Sequence, residues 1–168
     1  MTLSMYESSV PVFLRAFANL SAILRKAVDY AEVEKLDPDT LTQARLIPDM
    51  APLTAQVQFA SDIAKGCAAR LAGVEVPSFA DKETNFTELQ ERIAKTVAFL
   101  ESIDPAKFEG SEERGIELNI GGNPLGFEGR RYLLDFALPN FYFHVTMAYA
   151  LLRHKGVQIG KRDFLGGV

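Results

Sequence analysis

Apolar side chains recur every three or four residues in four long segments of the chain, which is the spacing of one face of an α-helix. Helices of this kind bury their apolar faces most simply against one another. We therefore predict an all-α fold, a four-helix bundle that forms a single domain over residues 1–168. The positions on the four faces are Val10, Phe13, Phe17, Leu20, Leu24, Ala27 and Ala31; Met50, Leu53, Val57, Ala60, Ala64, Cys67 and Leu71; Phe86, Leu89, Ile93, Val97 and Leu100; and Leu133, Ala137, Asn140, His144, Met147, Leu151 and His154.

A proline near the start of the first segment leaves two beginnings open for helix one. Either a serine caps the helix and Pro11 lies in its first turn, or the helix begins near Ser4 and kinks at the proline. Leu36-Asp37-Pro38-Asp39 should end this helix, and a short helical piece is expected from Asp39 to about Ala44.

Capping residues set the expected limits of helices two and three. Asp49 is expected to cap helix two, and Gly73 follows its last turn as a left-handed C-terminal residue. Asn85 with Glu88 three residues later forms a capping-box pattern, so helix three should begin there and extend to about Ile103.

After helix three the apolar period changes to two, the period of a β-strand, over residues 115–129. The turn residues Gly121-Gly122-Asn123 divide this stretch into two strands, which predicts a β-hairpin lying against the helices. The last helix is then expected to begin near Arg130. Two apolar residues of the tail should pack on the bundle, Phe164 and Leu165.

Composition and charge exclude several classes of protein. With 22 acidic and 18 basic side chains, a net charge of −4 and no Lys/Arg cluster, nucleic acid is not an expected partner. One cysteine and two histidines exclude an intrachain disulfide and a closed Cys/His zinc site, and Cys67 is expected to be a buried structural thiol. No apolar run approaches the ~20 residues of a membrane span, so we expect a cytoplasmic protein without a membrane partner.

Helix four carries a polar pair within its apolar face. Asn140 and His144 are four residues apart, so their side chains point the same way with Cβ atoms about 5–6 Å apart. Such a pair can share a ligand, including a metal ion. The nearest further donors are Gln56, beside the face of helix two, and Asp49 at its start. These four residues form the candidate ligand-binding pocket, in which only the Asp49 carboxylate would add a good ligand for a transition metal.

Each of these residues also has a structural explanation. A core or cavity-lining histidine hydrogen-bonded to a neighbour such as Asn140 or Tyr149 accounts for His144 without any ligand, and a helix-surface amide accounts for Gln56. His154 lies in the last turn of helix four, where a charged imidazole favours the helix dipole.

An aromatic run in helix four faces more than one side of the helix. Such a helix is typically buried all round, either beneath the hairpin and tail or at a subunit interface. A homodimer is therefore one expectation. The run comprises Phe136, Phe141, Tyr142 and Phe143.

Several stretches match a known family pattern along essentially the whole chain. Helix four reads Asn140-Phe141-Tyr142-Phe143-His144 and is followed by Leu151-Leu152-Arg153 and Gly156-Val157. With four helices and a hairpin between the third and fourth, the chain resembles the DinB/YfiT-like helix-bundle superfamily. It is similar to a branch of bacterial proteins with a domain of unknown function in Met5-Tyr6, Ala44-Arg45-Leu46 to Pro48-Asp49-Met50, Gly73-Val74-Glu75-Val76-Pro77 and Leu138-Pro139-Asn140-Phe141-Tyr142-Phe143-His144.

The resemblance implies a place for a metal ion and the loss of most of its ligands. In metal-binding members, one histidine of helix two and two of helix four, four residues apart, hold a divalent ion, and some members are thiol-dependent transferases or hydrolases. His144 matches the second histidine of helix four, Asn140 stands at the first, and Gln56 is the polar residue nearest the helix-two position. Because amides bind transition metals weakly, we expect no cofactor, with zinc or nickel at His144 as the alternative.

Three functional hypotheses follow. The first is a bacterial helix bundle with a degenerate metal site that binds a small polar molecule or acts as a dimeric stress-associated module. The alternative is a metal-dependent transferase or hydrolase that uses an altered site around His144, so whether the protein is an enzyme stays open. A third hypothesis assigns the function to a subunit or partner interface.

Overall fold

In the computed structural model, which describes residues 3–167, four long helices are present, and the first three bury most of the apolar positions predicted for them. Three short helices and a two-stranded hairpin connect or extend the long helices. The elements in chain order are α1 (Val10–Glu34), α2 (Asp39–Thr42), α3 (Leu53–Ala72), α4 (Phe86–Glu101), β1 (Gly115–Ile120), β2 (Asn123–Glu128), α5 (Gly129–Arg131), α6 (Leu138–His154) and α7 (Lys161–Leu165), with a 3₁₀ turn at Pro105–Phe108 and a π-helical segment at Tyr132–Ala137.

The face predicted for the last long helix is largely wrong after Ala137, because a π-helical segment before it shifts the buried face by one position. The buried residues there are Phe141, Val145, Ala148, Leu151 and Leu152, whereas Asn140, His144 and Met147 are half-buried and His154 is exposed.

The four long helices form a closed ring of neighbours. Both α3 and α1 pack against α4 and α6, so each helix has two partners and turns one face to a shared interior. Side chains of all four helices belong to one continuous cluster of buried apolar residues. The predicted four-helix bundle with a hairpin between its third and fourth long helices is confirmed. Among residues 3–167, none of the helices is both long and apolar enough to cross a lipid bilayer.

Helix α1 begins at Val10, with Pro11 in its first turn. Of the two predicted beginnings, the start near Ser4 with a kink is therefore wrong. Ser9 occupies the N-cap position, but its hydroxyl donates to the Met5 carbonyl at 2.6 Å instead of accepting from the helix. The helix ends at Lys35, which adopts a left-handed conformation with φ 54°.

Two predicted helix limits are corrected by local backbone chemistry. The prediction that Asp49 caps the second long helix is wrong, because α3 begins at Leu53 and Asp49 is exposed in the preceding loop. Pro52 holds the residue before it in an extended conformation, so the helix cannot start earlier. In α4, Asn85 accepts from the Glu88 amide as predicted, whereas the helix ends at Glu101, two residues before the expected limit.

The predicted hairpin is confirmed, and only its base lies against the bundle. Strands β1 and β2 pair antiparallel, and Gly121 and Gly122 make the turn with φ of 58° and 86°. Ile116 at the base is buried, whereas Leu125 near the tip is 43% exposed. The hairpin therefore draws its support from one end, as an isolated strand pair requires.

The last long helix contains an irregularity that the sequence pattern did not predict. A π-helical segment at Tyr132–Ala137 joins α5 to α6 in one continuous helical path. Pro139 in the first turn of α6 has no N–H, so one carbonyl of the preceding turn lacks its regular partner. Asn140 donates from Nδ2 to the Phe136 carbonyl at 2.9 Å and supplies a side-chain hydrogen bond at this point.

Helix α7 lies across α1, in a tail for which no helix was predicted. Asn19 donates to the Phe164 carbonyl at 3.0 Å, and Lys26 forms an ion pair with Asp163 at 2.6 Å. Phe164 packs edge-on against Tyr149 with ring centroids 5.8 Å apart, which confirms its predicted packing. The side chain of Leu165 remains 39% exposed.

A glycine at the junction of β2 and α5 allows a close approach of two backbone segments. A Cβ atom on Gly129 would overlap the Ser111 carbonyl oxygen and lie 3.0 Å from the carbonyl carbon. We expect Gly129→Ala to lower the free energy of unfolding by about 1–3 kcal/mol, because backbone must move to admit the methyl group. Urea unfolding followed by circular dichroism measures the change. Gly126→Ala is the control, since nothing lies within 4 Å of its Cβ position, and equal losses in the two variants would contradict the prediction.

Candidate functional site

Gln56 of α3 and His144 of α6 meet where these two helices pack, a region we call the α3–α6 seam. Nδ1 of His144 lies 2.8 Å from Oε1 of Gln56. Gln56 is only 2% exposed, and its Nε2 donates to the Ala51 carbonyl at 3.0 Å. Because the amide nitrogen is engaged there, Oε1 is the acceptor, and the proton of a neutral His144 ring lies on Nδ1. Nε2 of His144 then carries a lone pair that can accept a hydrogen bond or bind a metal ion.

The half-buried position of His144 favours this neutral ring. Burial lowers the pKa of His144 below its ordinary value of 6.5, because the charged imidazolium loses hydration. The imidazole is therefore uncharged at pH 7, with its tautomer held by Gln56.

Two phenylalanine rings flank the imidazole at the surface of the seam. The ring of Phe59 lies 5.0 Å from that of His144 between centroids, and the ring of Phe143 lies 5.2 Å away and nearly perpendicular. Phe59 is 40% exposed and Phe143 is 52% exposed, so both present apolar area to solvent beside the imidazole. Phe59 was not among the predicted site residues. Its spacing of three residues from Gln56 is the signal that places it on the same side of α3.

The structure brings together two of the four predicted pocket residues. Gln56 and His144 are in direct contact. Asn140 instead donates from Nδ2 to the Phe136 carbonyl, and Asp49 is exposed in the loop before α3. Within residues 3–167, the side chains of Asn140 and Asp49 form no hydrogen bond with the side chains of His144 or Gln56.

The structure agrees with some of the structural explanations given for His144, Gln56 and His154 and differs from others. His144 is half-buried and hydrogen-bonded to a neighbouring side chain, as the structural explanation expects, but the partner is Gln56 and neither Asn140 nor Tyr149. Gln56 is buried, so the expectation of a helix-surface amide is also wrong, because α6 covers this side of α3. His154 is exposed in the last turn of α6, as expected.

Within residues 3–167, no three His, Cys, Asp or Glu side chains come together as a group that could hold a metal ion. The donor set at the seam is one imidazole nitrogen beside a carboxamide. Such a pair is a weak ligand set for zinc or nickel.

A buried arginine organises a second polar cluster that sequence reasoning missed. The Arg92 side chain, on α4, is 1% exposed. Its Nε donates to the Ser61 hydroxyl at 2.8 Å and its Nη2 to Asp62 at 2.6 Å, both on α3. Its Nη1 donates to Asp81 at 3.0 Å and to Glu83 at 3.2 Å, both in the loop between α3 and α4. The guanidinium thus ties this loop to both helices.

The charges of this cluster stabilise one another. Burial opposes the charge on Arg92, but the carboxylates of Asp62, Asp81 and Glu83 outweigh it and raise the pKa of the guanidinium. Burial also opposes the charge on Glu83, which by itself would raise the pKa of its carboxyl. Hydrogen bonds from Gln58 and Arg92 outweigh burial and hold that pKa below its usual range. With every nitrogen of Arg92 committed to the protein, the cluster has a structural role.

Cys67 has the properties of a structural thiol. It is fully buried on the interior face of α3, and burial raises the pKa of its thiol. Its burial confirms the prediction. Burial also raises the pKa of nearby Tyr132 to about 12, and the Tyr132 hydroxyl accepts from Arg70 at 3.2 Å. Neither group ionises near neutral pH, so neither is an activated nucleophile.

Comparison with known proteins assigns the chain to a family. The family model of DUF1993, a domain of unknown function, matches residues 5–165. This chain belongs to the DUF1993 family. The crystal structure of a DinB family member protein from Shewanella denitrificans is similar to it with a TM-score of 0.89 and 39% sequence identity, over 98% of this chain and 93% of that chain. No curated protein matches the sequence.

The DUF1993 assignment and the DinB family neighbour confirm the resemblance found in the sequence. In this DUF1993 chain, the seam brings Gln56 and His144 together. The chemistry at these positions is that of an amide holding a neutral imidazole. The seam can therefore offer one directed hydrogen-bond acceptor between two aromatic rings.

Proposed function

We propose that this DUF1993 protein binds a small molecule at the α3–α6 seam. The ligand donates a hydrogen bond to Nε2 of His144 and lays an apolar ring against Phe59 and Phe143. The observation that carries the proposal is the 2.8 Å contact of Gln56 with Nδ1 of His144, because it leaves Nε2 unprotonated and fixes its direction.

The chemistry of the seam selects a class of ligand. Nε2 accepts a hydrogen bond but does not donate one, so the ligand supplies an O–H or N–H group. Phe59 and Phe143 favour a flat, apolar body next to that group, since exposed aromatic faces gain from stacking or edge-on contact. A phenol-like molecule combines both features and is the simplest probe.

The test compares 4-methylphenol with 4-methylanisole, which has a similar shape but no hydroxyl donor, in ¹H–¹⁵N NMR titrations at pH 7.5. We expect 4-methylphenol to bind about three to tenfold more tightly, the value of one hydrogen bond, with the largest shifts at Phe59, Phe143 and His144. His144→Leu should abolish the preference for the phenol. His154→Leu, which removes an exposed histidine of the same helix, should retain it.

Two further measurements make the proposal decisive. Gln56→Leu should weaken the preference, because the imidazole tautomer is no longer held. In the wild type the preference should be complete at pH 7 and disappear as the pH falls through the lowered pKa of His144, since the protonated ring has no acceptor at Nε2. A preference that survives in His144→Leu, or shifts located away from the seam, would refute the proposal.

The hypotheses of a metal enzyme and of a homodimer have separate readouts. Calorimetric titration with Zn²⁺ or Ni²⁺ alone tests the first, and a micromolar dissociation constant that His144→Leu removes would favour it over the phenol-like ligand. Sedimentation velocity tests the second, and a dimer that Phe143→Ala dissociates would place the exposed aromatic residues in an interface instead of a ligand site.

A further inference from the structure

A second cavity lies between α1, α6 and α7, and its lining includes neither Gln56 nor His144. Its volume is about 210 Å³. Leu20 and Ile23 of α1 and Val145 of α6 form its buried wall, and the rings of Tyr142 and Phe164 contribute aromatic surface. The cavity lining is therefore mainly apolar, and Arg15 and Asn19 add polar groups to it.

Helix α7 covers this cavity and is held there by polar side chains of α1. Nδ2 of Asn19 donates to the Phe164 carbonyl at 3.0 Å, and Nη2 of Arg15 donates to the Leu165 carbonyl at 3.1 Å. Lys26 adds the ion pair with Asp163 at 2.6 Å. Three tethers thus fix a helix of five residues that buries no side chain fully. The tethers hold α7 over one side of the cavity, which is otherwise partly open to solvent.

One cation stands at the edge of this apolar space. Arg15 lines the cavity and is exposed, and its guanidinium donates a hydrogen bond to the neutral Leu165 carbonyl. Within residues 3–167, Arg15 forms no ion pair, so its guanidinium charge has no protein counterion there. A planar guanidinium with free N–H groups matches the geometry of a carboxylate.

The volume limits the apolar part of a ligand to a single ring. An apolar protein cavity of about 150 Å³ accepts benzene and stays free of water. The cavity under α7 is somewhat larger at about 210 Å³, which accommodates a benzene ring with one small substituent. Tyr142 and Phe164 offer such a ring edge-on and stacked contacts.

We propose that the cavity under α7 binds a monocyclic aromatic carboxylate, with the ring between Phe164 and Val145 and the carboxylate on Arg15. This site is independent of the α3–α6 seam. It differs from the seam in charge preference, because Arg15 selects an anion whereas neutral His144 selects a hydrogen-bond donor.

The experiment uses benzoate and benzyl alcohol as probes in ¹H–¹⁵N and methyl NMR titrations of the full chain. We expect benzoate to bind about three to tenfold more tightly than benzyl alcohol, with intermolecular NOEs from its ring protons to the methyl groups of Leu20 and Val145. Arg15→Gln should remove this preference, so that benzoate and benzyl alcohol bind equally, although loss of the tether to the Leu165 carbonyl weakens both. Arg25→Gln, at an exposed arginine of the same helix, should leave both affinities unchanged.

A second pair of variants tests the cavity itself. Ala16→Phe places a ring in the cavity and should abolish binding of both probes, whereas Ala18→Phe adds a ring at an exposed position of α1 and should not. The wild-type NOEs keep the proposal falsifiable even if Ala16→Phe fails to fold. Absence of NOEs to Leu20 and Val145 at saturating benzoate, or equal affinities for benzoate and benzyl alcohol, would overturn it.

Discussion

Replacing Arg92 with methionine is expected to lower the free energy of unfolding by about 3 kcal/mol, the lower end of the range for breaking a buried ion pair from one side. The substitution removes one of the partners of Ser61 and of Glu83, the latter 13% exposed, while their hydrogen bonds with Thr96 and Gln58 remain. Asp62 and Asp81 are 40% and 54% exposed and regain hydration, which keeps the loss from being larger. Urea unfolding at pH 7, followed by circular dichroism, measures the change at constant slope.

Two related variants show whether the fork geometry of Arg92 matters. Arg92→Lys keeps a positive charge but cannot reach the two helices and the loop at once, so it should recover only part of the stability. Arg25→Met removes an exposed arginine and should stay within about 0.5 kcal/mol of the wild type. A loss below about 1 kcal/mol in Arg92→Met would contradict a structural role for the cluster.

The pH dependence of the free energy of unfolding provides an independent test of the Arg92 cluster. Because the pKa of Glu83 is lowered in the folded protein, its stabilising contribution is complete above the ordinary glutamate pKa. That contribution is lost as the pH falls from about 4.3 through the lowered value. In Arg92→Met this part of the acid sensitivity should be reduced, because the guanidinium that helps to lower the pKa is gone.

Replacing Phe141 with alanine is expected to cost about 3–5 kcal/mol, the range for deleting a buried aromatic ring from a core. Phe141 is fully buried where α6 meets α1, and its ring packs edge-on against Phe13 at 4.8 Å and Phe17 at 5.3 Å between centroids. The variant leaves a cavity and removes both aromatic contacts. Thermal and urea unfolding measure the loss.

Controls for this core position come from the same helix. Phe141→Leu retains most of the volume and should cost less than about 1.5–2 kcal/mol. Phe143→Ala, two residues away and 52% exposed, should change stability by less than about 1 kcal/mol although it removes a ring from the seam. Similar losses in Phe141→Ala and Phe143→Ala would show that burial does not decide the energetics of this helix.

The bundle and hairpin were predictable because each rests on a local period. A spacing of three and four residues identifies a buried helix face, and alternation around Gly121 and Gly122 identifies a strand pair, whatever lies opposite. The predicted beginning of α3 was wrong because Asp49 is a plausible helix cap, whereas Pro52 constrains the preceding backbone more strongly and delays the helix to Leu53. The π-helical segment was not predicted, because the spacing of three and four residues from Leu133 onward assumes an uninterrupted α-helix.

The candidate site was predictable in part. His144 stood out as a polar residue within the predicted apolar face and Gln56 as a nearby donor, but which of Gln56, Asn140 and Asp49 contacts the imidazole depends on how α3 and α6 pack, which no local spacing reveals. The Arg92 cluster did leave a signal, since Arg92 and Thr96 lie one turn apart on the inner side of α4, three and seven residues after Leu89. A charged residue in such a place indicates a buried network, and reading the face as Leu89, Ile93 and Val97 passed over it.

The π-helical segment sets how far α6 is rotated about its own axis relative to the hairpin. An α-helix turns roughly 100° per residue, so deletion of one residue within Tyr132–Ala137 would rotate everything after it by about that angle relative to the hairpin. His144 would then leave the side facing Gln56, although each half of the helix kept its own composition. If this helix were grafted into another scaffold, residues 132–137 would have to be included to keep the His144 side chain in the same direction.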